Sequence, residues 1–148
     1  MYEQIRKSFL NDGIFLKESW LHSIFDSGQN TKEKVFTQLI NTDISESCEQ
    51  CPLPDFTNVK SIKYEGKQVF LQINEVIDIS LPFEKRTALE RSAKGTFKIF
   101  LTDGVNNYFA ISKTPITSFH TGVTPGAKIY IIPPIEGKFG IIFLHEKN

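Results

Sequence analysis

Apolar positions in the first 45 residues recur at helical spacing. Ile5, Phe9 and Leu10 form one stripe, which stops at Asn11, Asp12 and Gly13, a glycine suited to closing a helix. Lys17 to Asp26 places Trp20, Leu21, Ile24 and Phe25 on a second stripe, again ending near a glycine, Gly28. Thr31 suits the N-cap of a third helix, expected to bury Val35, Phe36, Leu39 and Ile40. Asn41, Thr42 and Asp43, whose side chains bond readily to nearby backbone, should end that helix. The pattern predicts a small three-helix bundle over residues 1–47, with Trp20 as a core residue tying the helices to each other or to the barrel.

Residues 48–57 contain two prolines and no helical periodicity, and are expected to form a linker. Beyond them the period changes to two. Val69, Leu71 and Ile73, set among Gln68, Gln72 and Asn74, lead into Val76, Ile77 and Ile79. This predicts a long strand from Gln68 to Ser80, bent or bulged near Glu75 where the alternation slips. Further strands are predicted at Phe97–Thr102, Asn107–Ser112, Lys128–Ile132 and Gly140–Leu144. Asp103 and Gly104 make a turn, and Gly126 and Gly137 punctuate the later strands. Five strands without a helix long enough for a crossover imply a small closed barrel over residues 58–148, and so an α+β chain.

Composition narrows the function. With 148 residues, 40% hydrophobic and 23% charged, the chain can fill one core, or a helical unit leaning on a barrel. No run reaches the roughly 18 to 20 apolar residues of a membrane span. The start, Met1 to Lys7, lacks the apolar stretch of a signal peptide, so an intracellular protein with no membrane partner is expected. Net charge is zero, yet residues 1–55 carry 5 Lys/Arg against 9 Asp/Glu and residues 56–148 carry 12 against 8. A basic excess of that size permits weak DNA contact without requiring it.

Catalytic and metal signatures are missing from the sequence. Cys48 and Cys51 form a single Cys-x-x-Cys, with no second cysteine pair and with histidines scattered at positions 22, 120 and 145. Four-ligand zinc binding has no support, and a passive pair of thiols is the better reading. There is no nucleophile elbow, zinc-protease helix, complete phosphate loop or dinucleotide fingerprint. Asp103, next to Gly104, reads as a turn residue. No catalytic residue, metal or cofactor is expected.

Several segments together carry a family resemblance: Glu18–Leu21 (ESWL), Leu39–Ile44 (LINTDI), Leu71–Ser80 (LQINEVIDIS), Phe100–Gly104 (FLTDG) and Thr124–Ile129 (TPGAKI). In this order, from about Gly13 to Leu144, they resemble the amino-terminal region of the RecQ-mediated genome instability protein family. The resemblance implies three helices followed by a five-stranded OB-fold barrel. It also implies an adaptor that binds topoisomerase III, of type IA, in a complex with a Bloom-type RecQ helicase that dissolves double Holliday junctions, acting in the nucleus. A Tudor-domain-containing relative with the same layout pairs with a topoisomerase III that also acts on RNA. Two departures stand out. The loop between the first two predicted strands is short, closer to the Tudor relative, and the chain stops at Asn148, where the family usually continues into a Gly-Gly segment and a further helix.

In the family this loop, here Leu81 to Gly95, reaches toward the topoisomerase gate. Composition alone favours an ordinary solvated connection, but a dozen residues is long for a tight barrel. With the resemblance added, Pro82, Phe83, Lys85, Arg86, Leu89, Arg91 and Lys94 become partner-binding residues. Phe83 or Leu89 would anchor in a pocket, and the basic residues would meet phosphates or an acidic surface. Pro125 and Lys128 are barrel contacts by the same resemblance; read alone, Lys128 is a surface lysine beside a turn. The alternative is a single-stranded nucleic-acid module using Phe97, Phe100, Tyr108 and Phe109. Strand alternation sends Phe97, Ile99 and Leu101 to the core and leaves Lys98 and Phe100 outside.

Overall fold

A computed structural model describes residues 1–58, 60–82, 84, 95–112, 116 and 122–148. The helices are α1 (Tyr2–Asn11), α2 (Glu18–Asp26), α3 (Lys32–Asn41) and a single turn, α4 (Ile44–Ser47). Gly13 and Gly28 follow α1 and α2 at φ +79° and +84°, the left-handed region that a helix-closing glycine supplies. Thr31 caps α3, its hydroxyl accepting from Lys34 N–H at 3.3 Å. Only Val35 and Leu39 of α3 are buried; Phe36 and Ile40, expected inside, are 36% and 43% exposed. Each sits one residue, about 100° of helical turn, past the buried stripe, and the neighbouring elements are too few to cover both stripes. Trp20 is partly buried at the edge of the helical core.

Among the described residues the sheet has seven strands rather than five: β1 (Ile62–Tyr64), β2 (Val69–Asp78), β3 (Phe97–Thr102), β4 (Asn107–Ser112), β5 (Lys128–Ile131), β6 (Ile135–Lys138) and β7 (Ile141–Leu144). Their order is β1-β6-β7-β4-β3-β2-β5. The two unexpected strands, β1 and β6, pair with each other over three residues, too short to show an alternation. Gly137, expected as punctuation, lies inside β6, where the ring of Phe56 occupies the space a Cβ would need. The bulge in β2 falls between Ile73 and Glu75, where the alternation slips. β4 and β7 run parallel, joined by the long return through β5 and β6. Asn148 ties the last stretch to the end of β5, its carbonyl accepting from Ile132 N–H at 2.8 Å.

The helical unit and the barrel share a strand. Val69, Leu71 and Ile73 point into the barrel core, while Phe70 enters the helical core beside Tyr130. Residues 48–57, expected as a linker, are a packed strap: Cys48 is in the helical core, and Cys51, Leu53 and Phe56 are in the barrel core. Gln68 and Gln72 bridge the joint. Gln68 Nε2 donates to Asp12 O at 2.9 Å, and Gln72 Oε1 accepts from Ile44 N–H at 3.0 Å.

Candidate functional site

Phe83, Lys85, Arg86, Leu89, Arg91 and Lys94 lie outside the described residues. Pro82 is exposed. The base of the segment is set by Asp78, which is buried at the end of β2. Its Oδ1 accepts from Ser80 N–H at 3.0 Å, and the carboxylate stands where a Cβ on Gly95 would go, at 2.5 Å. Ile79 N–H donates to Thr96 O at 2.8 Å, so the two ends of the segment leave the sheet side by side.

Pro125 and Lys128 face different surroundings. The turn carrying Pro125 is held on the β2 bulge, Gly126 N–H donating to Ile73 O and Ile73 N–H to Ala127 O, both at 2.8 Å. Pro125 is exposed there on the rim of a groove of about 490 Å³, shared with Asn74, Glu75, Phe100, Asn107 and Phe109. Lys128, three residues on, is half-buried on β5 opposite Gln72. Its ammonium donates to Gly126 O at 2.9 Å, and burial pushes its pKa down against the opposing pull of Asp43 and Cys48. Lys128 therefore lies on the outward side of the barrel, as expected, but is half-buried there, close to Asp43 and Cys48 of the helical unit.

Asp43 anchors that joint. Hydrogen bonds from the Ser45 side chain and backbone, then from Gln72, hold its carboxyl below the usual range, with Lys128 adding to them. Asp103 is 1% exposed and takes the turn role expected of it. One carboxylate oxygen accepts from Val105 and Asn106 N–H at 2.8 and 2.6 Å, and the other from Cys51 N–H at 3.0 Å. Burial alone would raise its pKa; the three backbone donors together outweigh burial and hold it low. A carboxylate so engaged is a structural brace.

The outward face of β3, β4 and β7 carries the feature least visible in the sequence. Phe100 and Phe109 meet edge to face at 5.1 Å between centroids, and the Lys98 ammonium lies 5.2 and 4.9 Å from their ring centres. Ile141 stands opposite Phe109, and Phe139 projects from the next turn with 71% of its surface exposed. Lys98 and Phe100 follow from alternation. Phe139 does not, because its prominence comes from a two-residue turn; the Phe-Gly pair after Lys138 is the only signal. Among the described residues no His, Cys, Asp and Glu group could hold a metal, and no helix is long and apolar enough to cross a membrane.

Comparison with curated proteins gives no match. A family model described as RMI1, N-terminal OB-fold domain, matches residues 22–148, from within α2 to Asn148. The helices, the barrel and this match over most of the chain agree, and the chain belongs to the RecQ-mediated genome instability family through its N-terminal OB-fold domain.

Proposed function

We propose that this chain is a non-catalytic adaptor that binds topoisomerase III, a type IA enzyme, within a RecQ-helicase complex in the nucleus, and that it tunes the topoisomerase gate to favour decatenation and junction dissolution. The observation that carries the reading is Pro125, exposed on the rim of an aromatic groove in a chain of this family. A groove walled by Phe100 and Phe109 supplies the buried aromatic contact on which protein interfaces depend. Pro82, Phe83, Lys85, Arg86, Leu89, Arg91 and Lys94 then meet the gate, and Pro125 and Lys128 make the barrel contacts. A segment that favours one gate state shifts the enzyme's population only by its differential affinity for that state.

The second reading is a single-stranded nucleic-acid module, which the Lys98, Phe100 and Phe109 cluster favours. Salt separates the two readings, because phosphate binding weakens steeply with salt and an apolar interface does not. Calorimetric titration against topoisomerase III from the same organism, at low and moderately high salt, should give stoichiometric, salt-tolerant binding. Deleting Pro82 to Lys94 should then abolish stimulation of decatenation. No binding at either salt, with oligonucleotide binding in its place, would overturn the adaptor reading.

A further inference from the structure

A second surface lies on the same sheet face. β6 and β7 are joined by Phe139 and Gly140 alone, between the paired residues Lys138 and Ile141. Both turn residues have positive φ, 50° and 81°. Two-residue turns of this kind favour Asn, Asp or Gly at the first position, since a side chain in left-handed backbone crowds its own carbonyl. Here that position holds phenylalanine, with its ring in solvent. The fold gains nothing from this choice: the backbone is strained, and the apolar area stays wet.

The ring overhangs a cavity of about 310 Å³ lined by Phe109, Ile111, Ile141 and Lys98. These are cross-strand neighbours on the outward face, Lys98 opposite Ile111 and Phe109 opposite Ile141. Among the described residues no carboxylate pairs with Lys98, whose ammonium rests over the two rings instead. An apolar hollow of side-chain size with one cation at its wall is complementary to an apolar side chain flanked by a carboxylate. A nucleic-acid strand would need a cation for each phosphate it seats, and this hollow has one.

We infer that the cavity beneath Phe139 is a docking site for a linear segment of a partner protein, one that inserts a large apolar side chain and places an Asp or Glu against Lys98. The site needs neither residues 82–94 nor the topoisomerase, so it stands or falls separately from the proposed function.

Random dodecapeptides displayed on phage, panned against the whole chain, test it. The expected winners combine a Leu, Phe, Ile or Trp with an acidic residue a few positions away. Phe139→Asn, which suits the turn and keeps the fold, should weaken the winning peptide about tenfold or more. Lys98→Glu should do the same and be rescued by exchanging the peptide's acid for lysine, while Lys98→Met, which keeps the apolar stem, should lose only the acidic preference. No enrichment, or winners that all three variants still bind, overturns the proposal. So does either of two rival occupants: an oligothymidine of matching length that competes in a salt-sensitive way, or self-association of the chain that Phe139→Asn abolishes.

Discussion

The backbone N–H of Ile44 donates to Oε1 of Gln72 at 3.0 Å, linking the first residue of α4 to the middle of β2. Both residues are buried, Gln72 at 5% exposure, and the glutamine's amide nitrogen continues to Asp43 Oδ2 at 3.1 Å. An outward side chain of the barrel thus satisfies a helix N-terminus that would otherwise be sealed away from water.

Gln72→Leu keeps the shape but strands the Ile44 N–H, and should cost about 2 kcal/mol. The chain has one tryptophan, Trp20, in the helical unit, so its fluorescence reports that unit alone. In the parent chain the fluorescence and far-ultraviolet melts should coincide; in Gln72→Leu the fluorescence transition should come first. Coincident, unshifted melts in the variant would mean that the joint is held elsewhere.

Asp103 makes stability acid-sensitive. Its folded pKa lies below the unfolded value of about 3.9, because backbone donors from Asn106, Cys51 and Val105 overcome the upward push of burial. Its contribution is therefore fully present above that unfolded value and disappears as pH falls through the lower folded one. Asp103→Asn replaces one acceptor oxygen with a donor, leaving buried N–H groups unmet, and should cost about 2 to 4 kcal/mol at neutral pH. Melts between neutral pH and about pH 2 should show the gap between variant and parent closing below about pH 4. A gap that does not change with pH would mean the charge is irrelevant.

The same residues show what the sequence could disclose. Alternation placed Phe97, Ile99 and Leu101 in the core, and all three are there, because a central strand has one barrel-facing side whatever lies outside. Alternation also put Gln72 outside. It is outside the barrel yet buried, since periodicity registers which face a side chain takes and is blind to what another element lays over it. Phe36 and Ile40 failed in the opposite sense: the stripe was wide, but the surface able to cover it was narrow. Pro125 became a site residue through resemblance alone, and its place beside Phe100 and Phe109 depends on a bulge and a turn that bring together residues distant in the chain.

Two glycines give a matched comparison. Gly28 has φ +84° and nothing within 4 Å of a Cβ, so Gly28→Ala should cost about 1 kcal/mol, the left-handed penalty alone. Gly13 has nearly the same φ, +79°, but its Cβ would run into the backbone carbonyl of Gln68 on the barrel side of the joint. Gly13→Ala should exceed its counterpart by about 2 kcal/mol, as an overpacked contact between two backbones that cannot rotate away. Urea midpoints of the two variants decide the matter. Equal losses would mean that the helical unit can lift from the strand at little cost.

The thiols should behave as core side chains. Burial pushes Cys48 up to about 11, against a weaker opposing hydrogen bond from Ser47. It pushes Cys51 up to about 12, beside Tyr108 Oη at 3.7 Å. Since the thiolate is the nucleophile, neither should be alkylated at a measurable rate by iodoacetamide at mildly alkaline pH. Labelling should begin only with unfolding, and Cys48 should follow the helical transition while Cys51 follows the barrel, because the two side chains belong to different cores. Gln72→Leu sharpens the test: if it loosens the helical unit first, Cys48 should react at urea concentrations that leave Cys51 protected. Simultaneous labelling in that variant would show that the strap from Cys48 to Phe56 lets go as one piece and that the two cores cannot be opened separately.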